Sequence, residues 1–212
     1  EYWTKYGQTL ITEIGEKHDE LSKPSEPDTP SEEQATVWVV GDSTVCSFTD
    51  AYYYPRYGWG TQLSNYFDST LKVENLALSG RSSKSFATGI NENGAVDDSA
   101  VANYTQLKEN IKAGDTLIIA WGHNDEKTDS YRFTDPNGDK DTAGSFKNSL
   151  YAKYIKLAQD KGVTVILCTP IVRRTATGIW EDSNLHITSD SGKFEGGNYA
   201  EAIRKMGEDL DI

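Results

Sequence analysis

Thr36-Val37-Trp38-Val39-Val40-Gly41-Asp42-Ser43 runs apolar, β-branched and aromatic for five residues and then stops on glycine. A short continuous apolar run between turn signals fits a strand covered on both faces, since a half-exposed strand would alternate. The same pattern recurs along the chain. Residues 73–78 form a weaker run ended by Ser79-Gly80, 116–121 a strong one ended by Gly122, and 163–168 one ended by Thr169-Pro170. Between them lie stretches of helical character at 60–67, at 101–113 (closed by Gly114) and at 146–161 (closed by Gly162), with a last one at Tyr199–Leu210. Within 146–161, Leu150, Tyr154, Leu157 and Ala158 share one face at helical spacing. Strands alternating with helices of these lengths predict an α/β fold: a three-layer, doubly wound parallel sheet with helices on both faces. The expected strand order is 2-1-3-4.

In an open parallel sheet ligands bind outside the carboxyl ends of the strands. Four successive strand ends here carry small or polar residues: Gly41-Asp42-Ser43-Thr44, Leu78-Ser79-Gly80-Arg81-Ser82-Ser83, Gly122-His123-Asn124-Asp125, and Pro170-Ile171-Val172-Arg173-Arg174. With order 2-1-3-4 the first three turns converge. Together they hold what acyl transfer needs: a serine as nucleophile, a glycine whose backbone N–H can approach an oxyanion, and an asparagine amide as a second donor.

Gly41-Asp42-Ser43, Gly80 and Gly122-His123-Asn124 resemble the first three motif blocks of the SGNH (GDSL) hydrolase family. Tyr54-Pro55-Arg56-Tyr57-Gly58-Trp59-Gly60, Ser79-Gly80-Arg81-Ser82-Ser83 and Gly122-His123-Asn124-Asp125 resemble its rhamnogalacturonan acetylesterase branch, carbohydrate esterase family 12. The resemblance covers about residues 36–212. It implies that Ser43 is the catalytic nucleophile and that the N–H groups of Ser43 and Gly80, with the Asn124 amide, form the oxyanion hole. The implied activity is removal of O-acetyl groups from a plant cell-wall polysaccharide such as rhamnogalacturonan or pectin, without a cofactor or metal. Acetylxylan or another ester of the same fold, and a non-catalytic carbohydrate-binding relic, are the alternatives.

Neighbouring residues carry blander readings. Asp42 is expected to be structural, its carboxylate fixing the serine loop, and Asn124 could instead cap a helix. His123 reads as a hydrogen-bonded structural residue at a strand end. His186 reads as a loop histidine or a substrate contact, and His18 as solvated. Substrate contacts are expected from Tyr54, Trp59, Arg81, His123, Arg173, Arg174 and His186. The aromatic rings suit sugar stacking, although Trp38 and Trp121 belong to the core. Arg81, Lys84, Arg173 and Arg174 form a basic rim fitting an anionic ligand such as galacturonate, unless structural ion pairs claim them. The family pattern ends in an Asp-x-x-His block that supplies the base, and no such block occurs in this sequence. The expectation is therefore a chain lacking its fifth strand, weak as an esterase, whose exposed fourth strand is covered by residues 1–23 or by self-association.

The 212 residues hold 21 Lys+Arg against 33 Asp+Glu, a net charge of −12. That field disfavours nucleic acid and anionic membranes as partners. Mean hydropathy is −0.62. Residues 24–35 contain three of the six prolines and no apolar run, which is linker chemistry. The expected organisation is a segment with a short helix at 1–23, an acidic linker at 24–35, and the hydrolase domain at 36–212. Cys46 and Cys168 are two strand spacings apart in the expected sheet, about 9–10 Å, too far for a disulfide. The expected location is extracellular, with a bacterial source favoured over a fungal one.

Overall fold

The computed structural model describes residues 34–48, 51–53, 55–171, 187–188 and 197–212. The expected helix at 1–23, most of the linker, and Tyr54, Arg173, Arg174, His186 and His18 lie outside the described residues.

Four parallel strands, β1 (Ala35–Gly41), β2 (Leu71–Asn75), β3 (Thr116–Ala120) and β4 (Thr164–Leu167), form one sheet in the order β2-β1-β3-β4. The register pairs Val37 with Val73 and with Thr116, and Thr116 with Thr164. A separate antiparallel pair joins β5 (Ile187–Thr188) to β6 (Gly197–Asn198). The order is the expected one, and β4 is an outer strand among the described residues.

Successive side chains of a strand point to opposite faces, so continuous apolar strands feed two cores. Trp38, Val40, Leu117 and Ile119 enter one, with Phe86, Leu107, Phe146, Leu150, Tyr154, Tyr199 and Met206. These partners come from helices α1 (Ser83–Thr88), α2 (Asp98–Asn110), α3 (Phe146–Asp160) and α4 (Tyr199–Leu210). Val37, Val39, Ile118 and Ala120 enter the other, with Val45, Cys46, Leu63 and Ala77. That face is closed by the serine loop and by a 3₁₀ helix, Trp59–Tyr66, where an α-helix over 60–67 was expected. Buried Asp115 ties the starts of β1 and β3 together, accepting from Thr36 N–H and Trp38 Nε1–H, both at 2.8 Å.

Several boundaries differ from the sequence reading, each for a local reason. α2 starts at Asp98 because the Asp97 side chain accepts from Ala100 N–H, and it stops at Asn110 because Ile111 turns extended. The second strand is assigned to Leu71–Asn75, but Leu76 N–H and Leu78 N–H still donate to the Val39 and Gly41 carbonyls, carrying the ladder to 78. α1 was not anticipated. A capping box between Ser82 and Ser85 nucleates it, and Gly89 closes it at φ 65°. α3 is not uniform: α-helical Phe146–Leu150 and Lys156–Asp160 flank a π turn, Tyr151–Ile155. Both cysteines are free thiols, as expected. Among the described residues no helix is long and apolar enough to cross a membrane.

Candidate active site

The serine loop leaves β1 and folds back on Asp42. Asp42 is 1% exposed, and its Oδ1 accepts from Thr44 N–H and Thr44 Oγ1, both at 2.8 Å. Its carbonyl accepts from Val45 N–H at 3.0 Å and Cys46 N–H at 2.9 Å. This is the structural role expected of Asp42, and it leaves Ser43 at the tip of a fixed turn. A second segment braces the loop from outside. Gly58 N–H donates to the Cys46 carbonyl at 3.0 Å and Trp59 N–H to the Thr44 carbonyl at 2.9 Å. A Cβ at Gly58 would sit 2.2 Å from the Val45 carbonyl carbon, and one at Gly60 would sit 2.7 Å from the Val45 carbonyl oxygen. The glycines of Tyr57-Gly58-Trp59-Gly60 are thus the condition for that close approach. Trp59 itself is half-buried and packs on the second core.

The second turn is joined to the first by the Leu78 N–H bond to Gly41. Gly80 has φ 75°, and a Cβ there would meet nothing within 4 Å. Glycine is therefore set by backbone conformation, and the space beside it is open. The third turn reaches the second through Asn124, which is 7% exposed. Its Nδ2 donates to the Arg81 carbonyl at 3.0 Å, and its Oδ1 accepts from Arg132 Nη1 at 3.3 Å. An amide nitrogen carries two hydrogens, so one remains beyond the Arg81 bond. The Asn124 side chain thus bonds across to the second turn, and among the described residues no helix cap involves it. The structure brings Ser43, Gly80 and Asn124 to one edge of the sheet, on three neighbouring turns.

The other expected contacts fare differently. His123 Nε2 donates to the Ile171 carbonyl at 2.7 Å, linking the ends of β3 and β4. Arg81 is largely enclosed, its side chain 11% exposed, with Nη1 3.0 Å from Asp97 Oδ2 and the guanidinium 5.8 Å from the Tyr131 ring. That ion pair lacks hydrogen-bond alignment, so Nη1 is held by charge alone. Lys84 Nζ donates to the Ser130 carbonyl at 2.7 Å. Structural partners thus occupy both cations of the expected rim that lie among the described residues. Two residues the sequence reading passed over stand closer to the chemistry. Arg132, clamped to Asp129 through Nε at 2.9 Å and Nη2 at 2.6 Å, orients the Asn124 amide. Arg56 Nη2 lies 3.5 Å from Ser43 Oγ. Arg56 was visible inside its motif, but nothing local showed where that segment would go.

Residues 37–211 match the family described as GDSL-like Lipase/Acylhydrolase. The chain belongs to that family. Among curated proteins it is 31% identical over 138 residues to the probable rhamnogalacturonan acetylesterase YesY of Bacillus subtilis (strain 168), covering 65% of this chain and 54% of YesY. It is 29% identical over 180 residues to the rhamnogalacturonan acetylesterase RhgT of the same strain, covering 83% of this chain and 62% of RhgT. The chain therefore spans roughly half the length of these relatives. The crystal structure of B. subtilis protein YxiM superposes with a TM-score of 0.56 at 24% identity, covering 85% of this chain and 42% of YxiM, which shows a shared fold.

Beneath the site of this GDSL-family domain lies a buried carboxyl. Asp125 is fully enclosed and accepts from Ser83 N–H (3.1 Å), Ser83 Oγ (2.5 Å) and Thr134 Oγ1 (3.0 Å). Tyr154 and Tyr199 close the network by donating to the Ser83 and Thr134 carbonyls at 2.6 and 2.5 Å. Burial pushes Asp125 up to about 7, against the pull of its Ser83 and Thr134 donors. The folded state then keeps a proton that the unfolded chain releases near pH 4. Stability from this group is full below about pH 4 and is lost as pH rises to about 7, with no further change above. Urea midpoints measured from pH 4 to 8 are expected to fall more steeply for the wild type than for Asp125→Asn, which has no such proton. Parallel profiles for the two proteins would refute this.

Proposed function

We propose that this domain is a serine esterase that removes O-acetyl groups from an acidic plant cell-wall polysaccharide, of the rhamnogalacturonan or pectin type. The observation carrying the reading is the convergence of Ser43, Gly80 and Asn124 on adjacent strand ends, the second and third joined through Asn124 Nδ2 and the Arg81 carbonyl. The names of the curated relatives support the substrate class.

In this reading Ser43 Oγ attacks the acetyl carbonyl carbon and its proton passes to a general base. The carbonyl oxygen becomes an oxyanion in the open space beside Gly80. It receives the N–H groups of Ser43 and Gly80 and the remaining hydrogen of Asn124 Nδ2. On collapse the ester C–O bond breaks as the base returns the proton to the departing sugar oxygen, and water, giving its proton to the same base, then releases acetate from the acyl-serine. The Arg56 guanidinium offers donors and no acceptor, so it is not the base that takes the serine proton. His123 has given Nε2 to Ile171. The exposed rings of Tyr52 and Tyr57, on the segment after the serine loop, offer faces for sugars. A polymeric substrate of this kind places the enzyme outside the cell.

Acetate release from acetylated rhamnogalacturonan and from acetylxylan, at matched acetyl content, tests the reading. The expected result is a kcat/KM at least about tenfold higher on the acidic polymer, worth about 1.4 kcal/mol in the barrier. Preference for the neutral xylan would reject the substrate class.

A further inference from the structure

The sequence pattern placed anion recognition on Arg81, Lys84, Arg173 and Arg174, yet the structure gives Arg81 and Lys84 internal partners. A different cation stands at the serine. Arg56 is exposed, with Nη2 3.5 Å from Ser43 Oγ. Its guanidinium lies 5.1 Å from the centre of the Phe48 ring and 5.8 Å from that of Tyr53, so two aromatic rings fix its place. The backbone beneath is also tied: Arg56 N–H donates to the Tyr53 carbonyl at 2.7 Å, and Gly58 to Cys46. Among the described residues no carboxylate forms an ion pair with Arg56. A guanidinium has five donors in a planar fork that matches a carboxylate, and among the described residues one long contact to Ser43 leaves most of them unspent.

We infer that Arg56 is the specificity-determining residue of this site, pairing with the carboxylate of a uronic acid bonded next to the acetylated sugar. The inference rests on the esterase reading, because it takes Ser43 as the point where the acetyl group is held. A sugar whose ester carbonyl lies against Ser43 Oγ has its neighbouring residue within reach of a guanidinium only 3.5 Å from that oxygen. The flat charge and its aromatic supports suit a planar anion on a sugar ring. The same cation would do nothing for a neutral xylan.

Binding can be read without turnover. Ser43→Ala protein is titrated calorimetrically with a partly acetylated rhamnogalacturonan oligosaccharide, and with the same oligosaccharide after its carboxyls are reduced to alcohols. The acid form is expected to bind about 10- to 100-fold more tightly than the reduced form, the range for a charged hydrogen-bonded pair. In Ser43→Ala/Arg56→Met the two forms should bind alike, and Arg56→Lys should restore part of the gap. Equal binding of both forms with Arg56 present, or an equal loss on both forms in Arg56→Met, would overturn the inference. Acetate release by the Ser43 protein is scored separately. Discrimination without acetate release removes the esterase reading alone, and acetate release without discrimination removes this inference alone.

Discussion

Where a general base serves Ser43, Ser43→Ala is expected to cut hydrolysis of an aryl acetate by about 10⁴-fold or more, the scale seen when a serine nucleophile is deleted and only oxyanion stabilisation and binding remain. The loss should be chemical rather than structural. The loop around Ser43 is held by Asp42, Val45, Cys46 and the brace from Gly58 and Trp59, none of which uses the serine hydroxyl. Among the described residues the side chain's one hydrogen bond is the 3.5 Å contact from Arg56. Unfolding midpoints of the two proteins should therefore coincide while turnover collapses. A variant retaining activity within tenfold of the wild type would remove Ser43 from the mechanism.

The second large effect belongs to Asn124. If its free amide hydrogen meets the oxyanion, Asn124→Ala should raise the barrier by about 2.7–4 kcal/mol, on the order of 10²–10³ in kcat. The charge it stabilises exists only near the transition state, so KM should change little. Asn124 also donates to the Arg81 carbonyl and accepts from Arg132, so the same change should lower stability by about 1 kcal/mol. The kinetic and structural contributions separate in a comparison of kcat with the unfolding midpoint. A rise in KM at constant kcat would make Asn124 a substrate contact instead.

The parts of this protein that could be read in advance are those where one local signal decides the outcome. Val37–Val40 and Leu117–Ile119 are apolar on both faces, so they had to be central strands, and the glycines that end them mark the edge where chemistry gathers. Tyr199–Leu210 shows its buried face by spacing alone, at Tyr199, Ile203 and Met206. α1 offered no such signal. Ser83-Lys84-Ser85-Phe86 has a single large apolar residue, and the helix rests on the reciprocal bonds of Ser82 and Ser85. The arginines were harder still. Arg81 and Lys84 look like Arg56 in sequence, and only folding decides which cation finds an internal partner and which is left beside the serine. That choice depends on Gly58 and Gly60 pressing against Val45, a contact between segments a dozen or so residues apart.

The π turn at Tyr151–Ile155 reaches beyond its own five residues. A π turn accommodates one residue more than an α turn, so it acts as an insertion absorbed within a continuous helix. Its extra residue sets the phase between two sets of contacts. Upstream, Phe146 and Leu150 face the core; at the turn, Tyr154 donates to the Ser83 carbonyl while Tyr104 donates to the Lys153 carbonyl. Downstream, Lys161 Nζ caps the end of α2 on the carbonyls of Lys108 and Ile111. Were the same residues wound as an α turn instead, the downstream half would rotate by about 100° relative to the upstream half. Ala158 would leave the core and Lys161 its two carbonyls together. A homologue one residue shorter here can therefore keep both sets of anchors by closing the turn to α geometry. In comparisons among relatives, a one-residue gap in this segment is expected to leave the residues at positions 104 and 161 unchanged.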